Sequence, residues 1–314
     1  MSASDTQQST VQVQKSFASR EKPGTLYLVA TPIGNLEDMT FRAIRTLKEV
    51  DLIAAEDTRQ SRKLLTHFEI GKRLVSYHEH NKEASGPELL RLLSEGSSIA
   101  LISDAGLPAI SDPGADLVAE AAALGIPVVP IPGANAALSA LIVSALPTDR
   151  FLFAGFPPRD RKGMERFLDG IGSEPGTVIL YEAPHRLKKT LEAISSRWGH
   201  RRMAIVRELT KRYEEVVRGT VDACLRHLEE VPPLGECVLL LEGAAAESDG
   251  QGQRSGGAGT GSAAEAWWSS LSLAEHVDKY EADSGSRKEA MRLAARDRGL
   301  SRRDVYQALL DQEE

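Results

Sequence analysis

The chain has 314 residues, 41% of them hydrophobic and 26% charged, which is enough apolar side chain for more than one core and excludes a disordered polymer. Its formal net charge of -7 excludes attraction of polyanions by the molecule as a whole, so a nucleic-acid partner has to meet a local basic patch. The two cysteines, Cys224 and Cys237, lie in ordinary helix and strand patterns without metal-ligand spacing, which points to buried thiols in a reducing compartment and to no metal site.

Residues 1–22 are polar, rich in Ser, Gln and Thr, and lack the apolar stretch of a secretory signal, so they read as a disordered tail. From there, β-branched runs at 25–30, 51–55, 98–103 and 128–131 predict strands. Helical patterns alternate with them, among them 39–50, where Phe41, Ile44 and Leu47 fall at helical spacing, and the Ala-rich 113–124, ended by Gly125. The alternation predicts an α/β domain over 23–147. The uncharged stretch 126–146 is long enough to suggest a membrane span, but Pro130, Pro132, Gly133 and Asn135 interrupt it, which predicts strand, turn and buried helix instead.

A second α/β domain is expected over 148–243, with strands at 151–155, 177–181, 202–207, 214–218 and 236–242. The third and fourth of these are too close for a parallel crossover, so this sheet is expected to be mixed. Residues 244–262 collapse to Gly, Ser, Ala and Gln and read as a flexible linker. Beyond it, over 263–314, Ser272 with Glu275, Ser286 with Glu289 and Ser301 with Asp304 form three capping boxes, predicting a small three-helix, helix-turn-helix-like module.

Ligands of open α/β sheets bind beyond the carboxyl ends of strands. Three loops there are rich in Gly and Pro: 30–35 with Pro32 and Gly34, 103–108 with Asp104, Ala105, Gly106 and Leu107, and 132–137 with Asn135 and Ala136. Neither a GxGxxG nor a GxxxxGK[ST] pattern is present, so these loops signal neither a dinucleotide nor a nucleoside triphosphate.

In order, the chain carries TPIGN at 31–35, AAEDTR at 54–59, ISDAGLPAISDPG at 102–114, PIPGANAALSAL at 130–141, YEAPHRL at 181–187 and RELTKRYEE at 207–215. This set resembles the ribosomal RNA small subunit methyltransferase I family. The resemblance implies a class III methyltransferase, with two α/β domains of tetrapyrrole-methylase type, S-adenosylmethionine in the cleft between them, a cytoplasmic homodimer, and 2'-O-methylation of a cytidine in the decoding region of 16S rRNA or the small subunit. It carries over Asp104 and Leu107, Asn135 and Ala136, and in the second domain Glu182, Arg207, Glu208 and Leu240, as cofactor contacts. TPIGN and Ser-Asp-Ala-Gly depart from the loops of the wider tetrapyrrole-methylase pattern, which argues against a tetrapyrrole substrate.

A ribose hydroxyl becomes a nucleophile when a base takes its proton, and Glu56, Asp57 and His78 are the candidates, beside Glu182. Each has a structural alternative: the acids as partners of Arg59, His78 as a solvated loop residue, Asp104 as a turn cap. Candidate phosphate contacts are Arg59, then Arg201, Arg202, Lys211 and Arg212 in the second domain, and Arg302 and Arg303 in the tail, the alternative being a solvated charged face. Two other functions stay open: methylation of a tetrapyrrole-like small molecule, which the 5% aromatic content and the basic tail disfavour, and a non-catalytic RNA-binding ribosome-assembly factor.

Overall fold

Short apolar runs build the first sheet: β1 (Leu26–Val29), β2 (Leu52–Ala55), β3 (Arg73–Ser76), β4 (Ile99–Ile102) and β5 (Val128–Ile131), all parallel in the order β3-β2-β4-β1-β5. The computed structural model describes residues 11, 13–14, 24–112, 114–231, 234–244, 271–284, 286–298, 300 and 302–310. Every residue of β2 and β4 is buried, as expected of central parallel strands covered on both faces. Helices α1 (Phe41–Glu49) and α2 (Thr58–His67) cover one face, where Ala43, Leu47 and Leu65 meet Val29 and Ile53. Helices α3 (Lys82–Ser94) and α4 (Gly114–Ala123) cover the other, where Leu89, Leu93 and Leu117 meet Leu26 and Leu52. The sequence reading gave this sheet four strands; the fifth, β3, is a half-exposed edge.

The second sheet is mixed, as expected: β6 (Phe151–Gly155), β7 (Thr177–Glu182), β8 (Arg202–Arg207), β9 (Glu215–Thr220) and β10 (Cys237–Leu241) lie in the order β6-β7-β10-β8-β9. Only β6 and β7 pair in parallel. Helices α6 (Arg161–Ile171), α7 (Pro184–Trp198) and α8 (Val221–Glu230) bury one face.

The other face is buried by α5 (Ala136–Val143), the helix that follows the last strand of the first sheet. Its Ala137, Ala140 and Leu141 pack on Ile179, Ala204, Val206, Val238 and Leu240. At its start Asn135 accepts from the Leu138 amide at 2.8 Å, and the Ala137 amide donates to the Tyr181 hydroxyl at 3.1 Å. At its end Arg218 donates to the Val143 carbonyl at 3.0 Å. The segment 126–146 thus resolves into strand, turn and helix, and among the described residues no helix is long and apolar enough to cross a membrane.

The chain divides into two compact units, Met1–Glu247 and Ser248–Glu314. In the second, α9 (Leu273–Ser284), α10 (Arg287–Arg298) and α11 (Arg302–Leu310) enclose Val277, Ala290, Ala294, Val305 and Leu309. The first capping box is reciprocal: the Ser272 amide donates to Glu275 at 2.8 Å and the Glu275 amide to Ser272 at 3.2 Å. The side chains of Glu289 and Asp304, all of Ser301, and the linker 245–262 lie outside the described residues. So does most of the N-terminal tail, where Gln14 is among the few described residues. Its carboxamide exchanges two 2.9 Å hydrogen bonds with the main chain of Val128 on the edge strand β5. Cys224 and Cys237 are buried free thiols, and burial pushes both up to about 11.

Candidate active site

The loops after β1, β4 and β5 meet at the carboxyl ends of the parallel strands. An isolated antiparallel bridge joins the first two: Thr31 and Gly106 exchange main-chain bonds of 2.9 and 3.0 Å, and the Thr31 hydroxyl donates to the Ser103 carbonyl at 3.1 Å. Gly106 sits at φ +77°, left-handed backbone that side chains rarely adopt. Gly133 permits another close approach, since an added Cβ would fall 2.9 Å from that of Ala30.

These loops form one wall of a cleft of about 390 Å³. Ile33, Ala105, Gly106, Leu107, Asn135 and Ala136 line that wall, with Ile110 beside them. The facing wall comes from the second sheet, through Phe156, Tyr181, Val206, Leu209 and Val238. Its size is that of a small-molecule site, and its lining is mostly apolar with a few polar groups.

The polar groups nearby are engaged. Glu182 is buried; its carboxylate accepts from the Ala183 amide at 2.9 Å and the Thr190 hydroxyl at 2.6 Å, and pairs with Arg186 at 3.3 Å. Glu56 contacts Asp112, with Asp104 near, and burial, then Asp112, then Asp104 raise its proton affinity. Asp112 is raised too, chiefly by burial, so the two carboxyls together favour holding a proton. Asp104 accepts from the Asp57 amide at 3.1 Å.

The structure brings together part of the expected site. Ala105, Gly106, Leu107, Asn135, Ala136 and Glu182 line the cleft, Glu182 with its carboxylate occupied as above. Pro32 and Gly34 flank Ile33, which lines it in their place; Gly34 lies against Lys211, whose Cγ would be 2.5 Å from an added Cβ. Arg207 falls on the opposite face of the sheet, paired with Glu215, because side chains alternate along β8 and Val206 takes the cleft side. Leu240 is beneath α5 in the core. Glu208, at φ 49°, accepts from Lys211 at 2.9 Å and from the Glu236 amide at 3.0 Å.

Glu56, Asp57, Asp104 and His78 do not line the cleft. Asp57 caps α2 through the Arg59 amide and pairs with the exposed Arg59 side chain at 3.2 Å. His78 Nδ1 is buried without a hydrogen-bond partner. Of the expected phosphate contacts, Arg201 lies over Trp198 and donates to the Gly172 carbonyl, Arg202 pairs with Glu242 at 2.7 Å, and Lys211 is shared by Glu208 and Glu236. Arg59 and Arg212 are exposed, and the side chains of Arg302 and Arg303 lie outside the described residues. The sequence reading did not single out Ile33, Ile110, Phe156, Leu209 or Val238; an apolar residue at a strand end carries no motif of its own.

The family described as Tetrapyrrole (Corrin/Porphyrin) Methylases matches residues 25–224. A Halalkalibacterium halodurans protein named ribosomal RNA small subunit methyltransferase I is 51% identical over 296 residues, covering 94% of this chain and 98% of its own. Proteins of the same name from Bacillus subtilis, 49% identical over 94% of this chain and 97% of theirs, and from Synechocystis, 44% identical over 92% and 99%, match as fully. Among solved structures, a diphthine synthase superposes with a TM-score of 0.56 at 15% identity, covering 70% of this chain and 90% of its own. A cobalt precorrin-4 methyltransferase gives 0.52 at 19%, covering 69% and 94%. At these identities the likeness is one of fold.

Proposed function

Because the chain belongs to the ribosomal RNA small subunit methyltransferase I family, within the tetrapyrrole methylases, we propose that it transfers a methyl group from S-adenosylmethionine to the 2'-hydroxyl of a cytidine in the decoding region of 16S rRNA. The observation that carries this reading is identity over nearly the whole length of relatives with that printed name, cleft and helical unit included.

The residues of the cleft fit the methyl donor. Main-chain groups of Ala105, Gly106, Leu107, Asn135 and Ala136 suit its amino-acid and ribose ends, and Val206, Leu209 and Val238 offer an apolar wall to its adenine. Bound there, S-adenosylmethionine supplies a methyl group on an electron-poor sulfonium.

The chain's own part is orientation and proton handling. The Thr31–Gly106 bridge fixes two of the binding loops to each other, and the Asn135 cap fixes the third to α5. Of the three candidate bases, Glu56 comes first: its raised proton affinity suits it to take a hydroxyl proton once the pair with Asp112 is ionised, and Asp112 belongs to the loop that carries Ile110. Asp57 is committed to α2 and Arg59, and His78 is the second choice. In this reading the protein acts in the cytoplasm as a homodimer on the small subunit, and the helical unit, with Arg302 and Arg303 at the start of α11, docks RNA.

The test is mass-spectrometric mapping of 16S rRNA from a strain lacking the gene for this chain. One 2'-O-methylcytidine is expected to vanish and to return when the purified protein and S-adenosylmethionine are added to the mutant's small subunits. An unchanged rRNA methylation pattern refutes the reading.

A further inference from the structure

Two large apolar side chains line the cleft while remaining open to solvent: Ile110, 44% exposed, and Phe156, 59% exposed. They belong to opposite walls that approach each other beside them, since a Cβ on Gly155 would lie 3.6 Å from the Ser111 hydroxyl.

Both are braced. Ile110 stands between Ala109 and Ser111, at φ 69° and 56°, a backbone state that non-glycine residues hold only where the surroundings enforce it. Phe156 meets Tyr181 edge to face, with centroids 5.5 Å apart. Arg186 donates to the carbonyls of Pro157 and Pro158 at 2.8 and 3.1 Å and is itself held by buried Glu182. The loop that follows is positive. Asp160 caps α6 through the Gly163 amide, and Arg161 pairs with Glu165, whereas Arg159 and Lys162 are exposed and enter no ion pair among the described residues.

We propose that Ile110 and Phe156 form a slot for one unstacked nucleobase of the RNA substrate, with Arg159 and Lys162 meeting the phosphates that flank it. This rests on the rRNA reading above and adds how that substrate is held. A base drawn out of its stack has two apolar faces to cover, and an aliphatic side chain opposite an aromatic ring covers both. The cations decide between the two planar groups available. S-adenosylmethionine carries no phosphate, and its single carboxylate is outweighed by its ammonium and sulfonium charges, so two adjacent cations such as Arg159 and Lys162 are matched by the successive phosphates of RNA rather than by the donor.

The experiment measures methyl transfer by the full-length protein, at saturating labelled S-adenosylmethionine, to small subunits from the strain lacking its gene. Phe156→Ala is expected to raise KM for subunits about tenfold, the scale of one lost stacking contact, while calorimetric Kd for S-adenosylmethionine stays unchanged. Phe156→Trp is expected to restore KM, and Arg159→Gln with Lys162→Gln to raise it and flatten its salt dependence. Because Phe156 is largely exposed, its removal leaves the core intact, which an unchanged Tm verifies. A Phe156→Ala protein with normal KM overturns the slot. So does a tenfold loss of S-adenosylmethionine affinity, which gives the ring to the donor's adenine. Absence of transfer by the unsubstituted chain sinks the substrate reading itself, and the slot with it, and is recognised because no variant is involved.

Discussion

Replacing Glu182 with Ala isolates what its buried carboxylate does. The side chain is wholly enclosed and serves the Ala183 amide, the Thr190 hydroxyl and Arg186 together. Breaking a buried ion pair from one side costs about 3–5 kcal/mol, because the remaining partner is left uncompensated. Arg186 keeps two carbonyl acceptors and is 19% exposed, which places the cost at the lower end, about 3 kcal/mol. For a unit of this size that is roughly 6–12 °C in Tm. Urea unfolding followed by circular dichroism, without ligand, measures it. Glu182→Gln retains an oxygen for the Ala183 amide and is expected to lose about half as much. A loss below about 1 kcal/mol for Glu182→Ala refutes the clamp. Lost S-adenosylmethionine affinity in Glu182→Gln without lost stability would instead support the ligand role expected from the sequence.

Gly106→Val is expected to weaken S-adenosylmethionine binding more than tenfold by calorimetry, since left-handed backbone costs a side chain about 1–2 kcal/mol and the new methyl groups enter the cleft. Gly125→Ala, at φ +70° with open space around it, imposes similar strain elsewhere and is expected to leave binding unchanged; equal losses in both would refute the cradle. Glu56 binds its proton more tightly in the folded chain than in the unfolded one, so the stability it confers is full at low pH and declines as pH rises through its raised value. Urea midpoints from pH 4 to 9 are therefore expected to fall for the wild type relative to Glu56→Gln, which keeps a donor to Asp112 throughout; parallel curves would contradict the shared proton. If Glu56 is the base, methyl transfer by that variant is low at every pH.

The sheets were legible because their inner strands carry unbroken apolar runs, and β5, β6 and β8 begin and end where their patterns do. β3 was not, because Arg-Leu-Val-Ser is short, sits at an edge and buries little, so the neighbour β2 rather than its own composition makes it a strand. The Gly-rich loops of the cleft were legible for the opposite reason, since positive φ and close approach demand glycine at Gly106 and Gly133. The far wall was read through charged motif residues, yet it is built from Val206, Leu209 and Val238, while Arg207 faces away by the alternation of β8. Which face an alternating strand turns to a ligand depends on the helices that cover it, and those come from distant parts of the chain.

Helix α5 has a consequence for anyone who would cut this molecule in two. A scission near residue 147, where the sequence changes character, leaves the amino-terminal fragment bearing a greasy helix with nothing to lie on and the carboxyl-terminal fragment with one side of its sheet bare to water. The seam that respects the packing runs instead through the Pro132–Gly133 turn. A fragment starting there carries its own cover, so interchange of halves between relatives has to respect that turn, and the connection between the lobes is a few residues of loop already engaged in forming the cleft.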